Sequence, residues 1–263
     1  MFSTKKCIWC SKSESSTITF NKLAHTVPQS LGGTFVCSNV CDNCNHYFGS
    51  YHHGLPPIET VIKEAFILAR YRMLNGKNIG KNQAMARFKS TFFNVSPKTN
   101  GLSLKPKFLL TPHFQENLGR QLKRGVYKMY LEEVERQFGD GHNPKYDFIR
   151  EFARYNLNDC PLYYFLRKHG IIMMSQEWIK RPSLLLGDHK PMKNYLVNVP
   201  GFDEVEFLGH VMGLATSRLH ESLFDHYMEK SSDEKKEVFR AWREVKYFTD
   251  IDVAMSIFNS KVS

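Results

Sequence analysis

Two pairs of cysteines, Cys7-Ile8-Trp9-Cys10 and Cys41-Asp42-Asn43-Cys44, carry the clearest chemistry in the chain. A CxxC turn offers two thiolates to one ion, and two such turns complete the tetrahedral four-sulfur shell that zinc favours. In so small a module the metal would supply much of the folding free energy. A redox pair would need a strand–helix–strand context that the surrounding sequence lacks. Cys37 lies nearby and is expected to be a buried thiol, with replacement of Cys41 as the other option. Cys160 stands alone and is expected in the core.

Between the knuckles runs Phe20-Asn21-Lys22-Leu23-Ala24-His25-Thr26-Val27-Pro28-Gln29-Ser30-Leu31-Gly32-Gly33. Around the second knuckle runs Asn39-Val40-Cys41-Asp42-Asn43-Cys44-Asn45-His46-Tyr47-Phe48-Gly49. The order His-x-x-Pro-x-x-Leu-Gly-Gly, then Asn-x-Cys-x-x-Cys-Asn-x-x-Phe-Gly, resembles the zinc-containing branch of the HNH endonuclease superfamily, the ββα-metal fold. The resemblance implies a β-hairpin that carries a general base, His25, and a helix opening at the second CxxC that carries an ion ligand, Asn45. By the same match Asn39 steadies the hairpin and orients His25, and His46 is a substitute ligand or a phosphate contact. These residue types suit phosphodiester hydrolysis. A neutral imidazole removes a proton from water near neutral pH. A Mg2+ or Mn2+ ion offsets charge on the attacked phosphate.

One position departs from the pattern. The residue before the general base is usually an acidic or histidine ligand of the ion, and here it is Ala24. Fewer protein ligands, compensation by Asp42 or His46, or a degenerate centre would each follow, and a carboxylate placed at 24 is expected to tighten ion binding. A looser likeness to helical regions of bacterial and phage HNH proteins continues to about Tyr155.

Charge points to the partner. The net charge is +10, with a pI near 9.2. Residues 56–128 hold fourteen Lys/Arg against three Asp/Glu, whereas residues 129–263 hold eighteen against twenty-one. No acidic residue separates Glu64 from Glu116, and Arg70, Arg72, Lys77, Lys81, Arg87, Lys89, Lys98, Lys105 and Lys107 all fall between them. A one-signed stretch of this kind suits a polyanion, so these residues are the expected DNA footprint.

The elements that must position this chemistry follow from pattern. Ile58, Val61, Ile62, Ala65, Phe66, Ala69 and Met73 have helical spacing that stops at Asn75-Gly76. Residues 76–110 are expected as short strands or loops. Thr111-Pro112 opens a second helix, with Phe114, Leu118, Leu122, Val126, Met129, Val134 and Phe138 on one stripe and Gly139 closing it. Tyr146 to Tyr155 predicts a third helix. The stretch 163–211, including Ile171–Met174 and Tyr195–Val197, predicts a small sheet. Helices are expected again near Ser217–Lys230 and after Ser231, whose spacing to Glu234 is that of a capping box.

The expected fold is therefore α+β: a zinc-stapled ββα-metal module over 1–55, then a mainly helical region with a small sheet over 56–263. No apolar run reaches the ~18 residues of a membrane span. The start does not read as a secretory leader, so the cytoplasm is the expected location. The expected function is a metal-dependent DNA endonuclease in restriction, phage or anti-phage defence. Its alternative is a zinc-ribbon-like nucleic-acid binder whose nuclease centre has decayed at Ala24. A homodimer, or a partner protein in a defence system, is compatible with either.

Overall fold

The computed structural model describes residues 4–75, 90–95, 102–105, 111–167, 176–186, 201–218, 229 and 239–253. A minimal hairpin, β1 (Ala24–His25) with β2 (Val36–Cys37), is followed by the short helix α1 (Asp42–Phe48) and the longer α2 (Ile58–Asn75). A second small hairpin, β3 (Phe93–Val95) with β4 (Leu102–Leu104), precedes the long helix α3 (Pro112–Phe138). Then come α4 (Asp147–Tyr155), β5 (Leu162–Arg167), α5 (Gln176–Lys180), β6 (Leu185–Leu186), β7 (Phe202–Phe207), β8 (His210–Ala215) and β9 (Phe239–Glu244). The last five strands form one antiparallel sheet in the order β6-β7-β8-β5-β9. The mixed helix-and-sheet fold expected from sequence is the one observed, and no helix among the described residues is long and apolar enough to cross a membrane.

Helix α3 organises the molecule. Thr111 caps it, its hydroxyl accepting from the Phe114 amide at 3.2 Å, and Pro112 needs no amide partner at the first helical position. Gly139 ends it in the left-handed conformation, its amide bonded to the Glu135 carbonyl. One apolar stripe would bury one face, but α3 is buried on nearly all sides, with Gln121, Lys123, Arg124, Lys128, Glu132 and Glu133 enclosed beside Leu118, Leu122, Val126 and Met129. It lies between the N-terminal module with α2 and the C-terminal sheet, so its polar positions face protein too. The stripe ends at Val134, because Phe138 is exposed. Gly125 lets α2 approach closely: a side chain there would collide with Ile62 and crowd Ile58.

The Leu55-Pro56-Pro57 step is not a loose linker. Pro56 and Pro57 are buried, and the Pro56 carbonyl accepts from Gln121 Nε2 at 2.6 Å. A single apolar cluster runs from Cys7 through α2 and α3 to Ile251. The zinc-knuckle segment is seated in the body of the protein.

Residues 171–174 and 195–197, and nearly all of the segment Ser217–Lys230, lie outside the described residues. The helix expected after Ser231 begins outside them as well, and Phe239–Glu244 is an edge strand paired with β5. Phe239 is buried and faces Phe165.

Candidate functional site

The four knuckle cysteines converge. Their sulfurs all lie within 4.8 Å of one another, and those of Cys10 and Cys41 are 3.7 Å apart. A tetrahedral ion with bonds of about 2.3 Å to sulfur sets neighbouring sulfurs about 3.8 Å apart, so the donor set fits zinc. Hydrogen bonding within the cluster splits the thiols. Cys44 and then Cys7 hold Cys10 far below its ordinary value, at about 2, while Cys7 and Cys44 are pushed up, chiefly by their bonds to Cys10. A cation seated among the four sulfurs would have to displace the protons that Cys7 and Cys44 retain, so its binding would depend on pH. Cys37 and Cys160 are not in the cluster. Both are buried, and burial raises both thiols, that of Cys160 to about 12.

Partners from distant elements hold the knuckles. The Cys41 amide donates to Cys7 Sγ at 3.4 Å, and Arg154 Nε of α4 donates to Cys44 Sγ at 3.4 Å. The Arg154 guanidinium lies 3.8 Å from the Tyr47 ring centroid, while Arg124 donates to the Tyr47 hydroxyl at 2.7 Å. Arg150 donates to the Ile8 carbonyl at 2.5 Å, inside the first knuckle.

The hairpin is only two residues per strand, with Ala24 opposite Cys37 and His25 opposite Val36. Its turn is compact because Gly32 takes a positive φ of 84° and Gly33 lies directly against the Val27 carbonyl, where a side chain would clash. His25 is half-buried, and its Nδ1 is enclosed with no hydrogen-bond partner among the described residues. Burial first, and the nearby Lys128 ammonium second, lower its pKa against an opposing pull from Glu59. The imidazole is therefore neutral at neutral pH, the form a general base requires.

Asn45 meets the hairpin from α1, its Nδ2 donating to the Leu23 carbonyl at 3.2 Å, two residues before His25. With the amide nitrogen so used, the side-chain oxygen is the atom suited to a hard cation. His46 is exposed, its Nε2 3.2 Å from Ser50 Oγ on the same helix, and neighbours on a helix point about 100° apart. Structure thus places Asn45, not His46, against the hairpin. Asn39 makes its hydrogen bonds to residues other than His25. Its Nδ2 donates to Glu135 of α3 at 2.5 Å and its carbonyl accepts from the Ile8 amide, so it ties the hairpin exit to the long helix.

Asp42 is committed in part to holding the loop at 19–22. Its carboxylate accepts from the Thr19 hydroxyl at 2.6 Å and from the Lys22 and Asn21 amides at 2.7 and 3.2 Å. Burial works to raise this carboxyl, but those bonds outweigh it and hold the group below the usual range. Ala24 is 1% exposed and packs in the core. Among the described residues, the four cysteines are the one group of three or more His, Cys, Asp or Glu side chains spaced to hold a metal.

The expected footprint divides. The Arg70 guanidinium packs against Gly32 at the hairpin turn, and Lys105 Nζ donates to the Ser90 carbonyl at 2.5 Å, so both have structural contacts. Arg72 lies in α2. Lys77, Lys81, Arg87, Lys89, Lys98 and Lys107 lie outside the described residues. Sequence reasoning missed Lys128, Glu132, Glu133, Arg150 and Arg154. Each is a charged residue on a helix far along the chain, and no local pattern marks such a residue as a support for the site.

Residues 7–54 match the family model of the HNH endonucleases. No curated protein and no solved structure matches the chain.

Proposed function

We propose that the HNH module of residues 7–54 makes this protein a metal-dependent endonuclease that hydrolyses phosphodiester bonds of DNA. The observation that supports this most is the neutral, unpartnered His25 imidazole on a hairpin that Asn45 bridges from α1. In this reading His25 takes a proton from the attacking water. Asn45 offers its oxygen to a Mg2+ or Mn2+ ion, which would offset charge on the phosphate oxygens. The knuckle cysteines hold a structural zinc that fixes the angle between hairpin and helix. The basic stretch from Arg70 to Lys107 holds DNA through its phosphates, and the setting is restriction, phage or anti-phage defence in the cytoplasm.

A second reading has its own support. Ala24 supplies no acidic ligand, and Asp42 already accepts three hydrogen bonds from the loop at 19–22. A zinc-stapled DNA binder without cleavage would carry these features. Supercoiled plasmid incubated with purified protein and Mg2+ or Mn2+ separates the two. Nicking or linearisation that stops with chelation supports the nuclease, and tight, salt-sensitive binding without cleavage under either ion supports the binder. In both readings, neutralising Lys77, Lys81, Arg87, Lys89, Lys98 and Lys107 together should flatten the salt dependence of binding by about 0.9 in slope per lost phosphate contact.

A further inference from the structure

A hairpin with two residues per strand cannot hold a side chain still by its own ladder. Helix α3 supplies what the ladder lacks. Lys128 Nζ donates to the His25 carbonyl at 2.7 Å, and the Thr26 hydroxyl donates to Glu133 Oε1 at 2.6 Å. Lys128, Thr26 and Glu133 are all fully enclosed. The ammonium is balanced by Glu132 at 3.0 Å and Glu59 at 3.5 Å. Glu133 is balanced by Arg136, with Gln137 and Ser183 donating to its remaining positions. Enclosing charge in this way is costly unless each group is paired. Here both enclosed charges are directed at consecutive residues, one at the backbone of His25, the last residue of β1, and the other at the side chain of Thr26 just after it. By contrast, Tyr127 on the same helix bonds away from the hairpin, to the Pro161 carbonyl and the Ala215 amide beside the sheet.

We propose that Lys128 and Glu133 are positioning residues for His25, so that helix α3, rather than the zinc knuckle, fixes where the imidazole stands. The proposal rests on the nuclease reading for its kinetic arm and is independent of it for its spectroscopic arm. Holding a reacting group within about 1 Å of its productive place is worth roughly a hundredfold in rate. Thr26→Val keeps shape and packing but removes the hydroxyl. It should lower kcat about 10- to 100-fold with KM for DNA and zinc content unchanged. Lys128→Met should do at least as much, and Lys128→Arg, which keeps the donor, should recover part of the rate. Tyr127→Phe should lower Tm by a few degrees and leave kcat alone.

The test runs these variants in parallel with histidine-labelled NMR, the His25 signal being assigned by its loss in His25→Ala. The His25 ring signal should shift or broaden in Thr26→Val and stay in place in Tyr127→Phe. A Thr26→Val protein with parental kcat and an unmoved His25 signal overturns the proposal, and so does an equal loss of kcat in Tyr127→Phe. If the parent cuts no DNA, the nuclease reading falls, and the His25 signal alone decides whether α3 positions the ring.

Discussion

The zinc knuckle and the hairpin face belong to the same segment, yet they are built on different principles. At the knuckle the chemistry is contained in the ligands themselves. Cys7, Cys10, Cys41 and Cys44 come together because two CxxC turns can do little else, and Arg154 and Arg150 only secure what the spacing already sets. At the hairpin the chemistry we propose is one imidazole on a strand too short to hold it, with Ala24 beside it buried and without a donor atom. Its supports come from α3, about a hundred residues away along the chain. A metal staple is local and legible, whereas a catalytic pose is a property of the whole fold.

The largest expected effect separates the two faces at the knuckle. Cys44→Ser should lose the single zinc and, because the segment shares one core with the rest, lower the stability of the whole chain by several kcal/mol. Cys37→Ser and Cys160→Ser should keep zinc. Metal analysis and thermal melting check this, and a zinc-free parent would show that the cluster serves another end.

Removing Arg154 is a milder test of the same face. Arg154→Ala takes away the donor to Cys44 and the ring contact with Tyr47. Zinc affinity should fall about 10- to 100-fold, measured by competition with a chromophoric chelator. An unchanged affinity would show that the arginine serves packing alone.

Ala24→Asp probes the hairpin face. A carboxylate enclosed there without a partner should cost about 1–3 kcal/mol in protein free of Mg2+ and Mn2+. If position 24 borders the ion, millimolar Mn2+ should restore the lost Tm by binding the folded state. A Tm that Mn2+ does not restore would place the ion away from residue 24.

The smallest effect is on pH. Burial and Lys128 hold the His25 pKa below its ordinary value of about 6.5. The plateau of kcat should therefore extend to lower pH than an unperturbed histidine allows. Stability runs the same way: protonation favours the unfolded chain, so the His25 contribution is present above about 6.5 and is lost as pH falls through the lowered folded value. Lys128→Met should move the acid limb of the rate profile back upward.

Much of this was readable from residue types and spacing: the cysteine cluster, the long helix with its Thr111 and Gly139 ends, the helix from Asp147, and a small sheet after it. What could not be read depended on contacts between distant residues. Asp42 is spaced like a ligand but spends its carboxylate on the loop at 19–22. Asn39 has the expected place in the motif, and its partner there, Glu135, lies on the long helix almost a hundred residues on. Arg70 and Lys105 share the charge of a DNA footprint, yet one packs under Gly32 and the other binds a backbone carbonyl.

The measurement that bears most directly on the account is single-turnover cleavage of supercoiled plasmid by the parent and by His25→Ala, in Mn2+, at matched zinc content and matched DNA occupancy. The parent should nick the plasmid, and His25→Ala should be slower by about 100- to 10,000-fold, with zinc and DNA affinity unchanged. Cleavage by His25→Ala at the parental rate, with contaminating nuclease excluded, would contradict it.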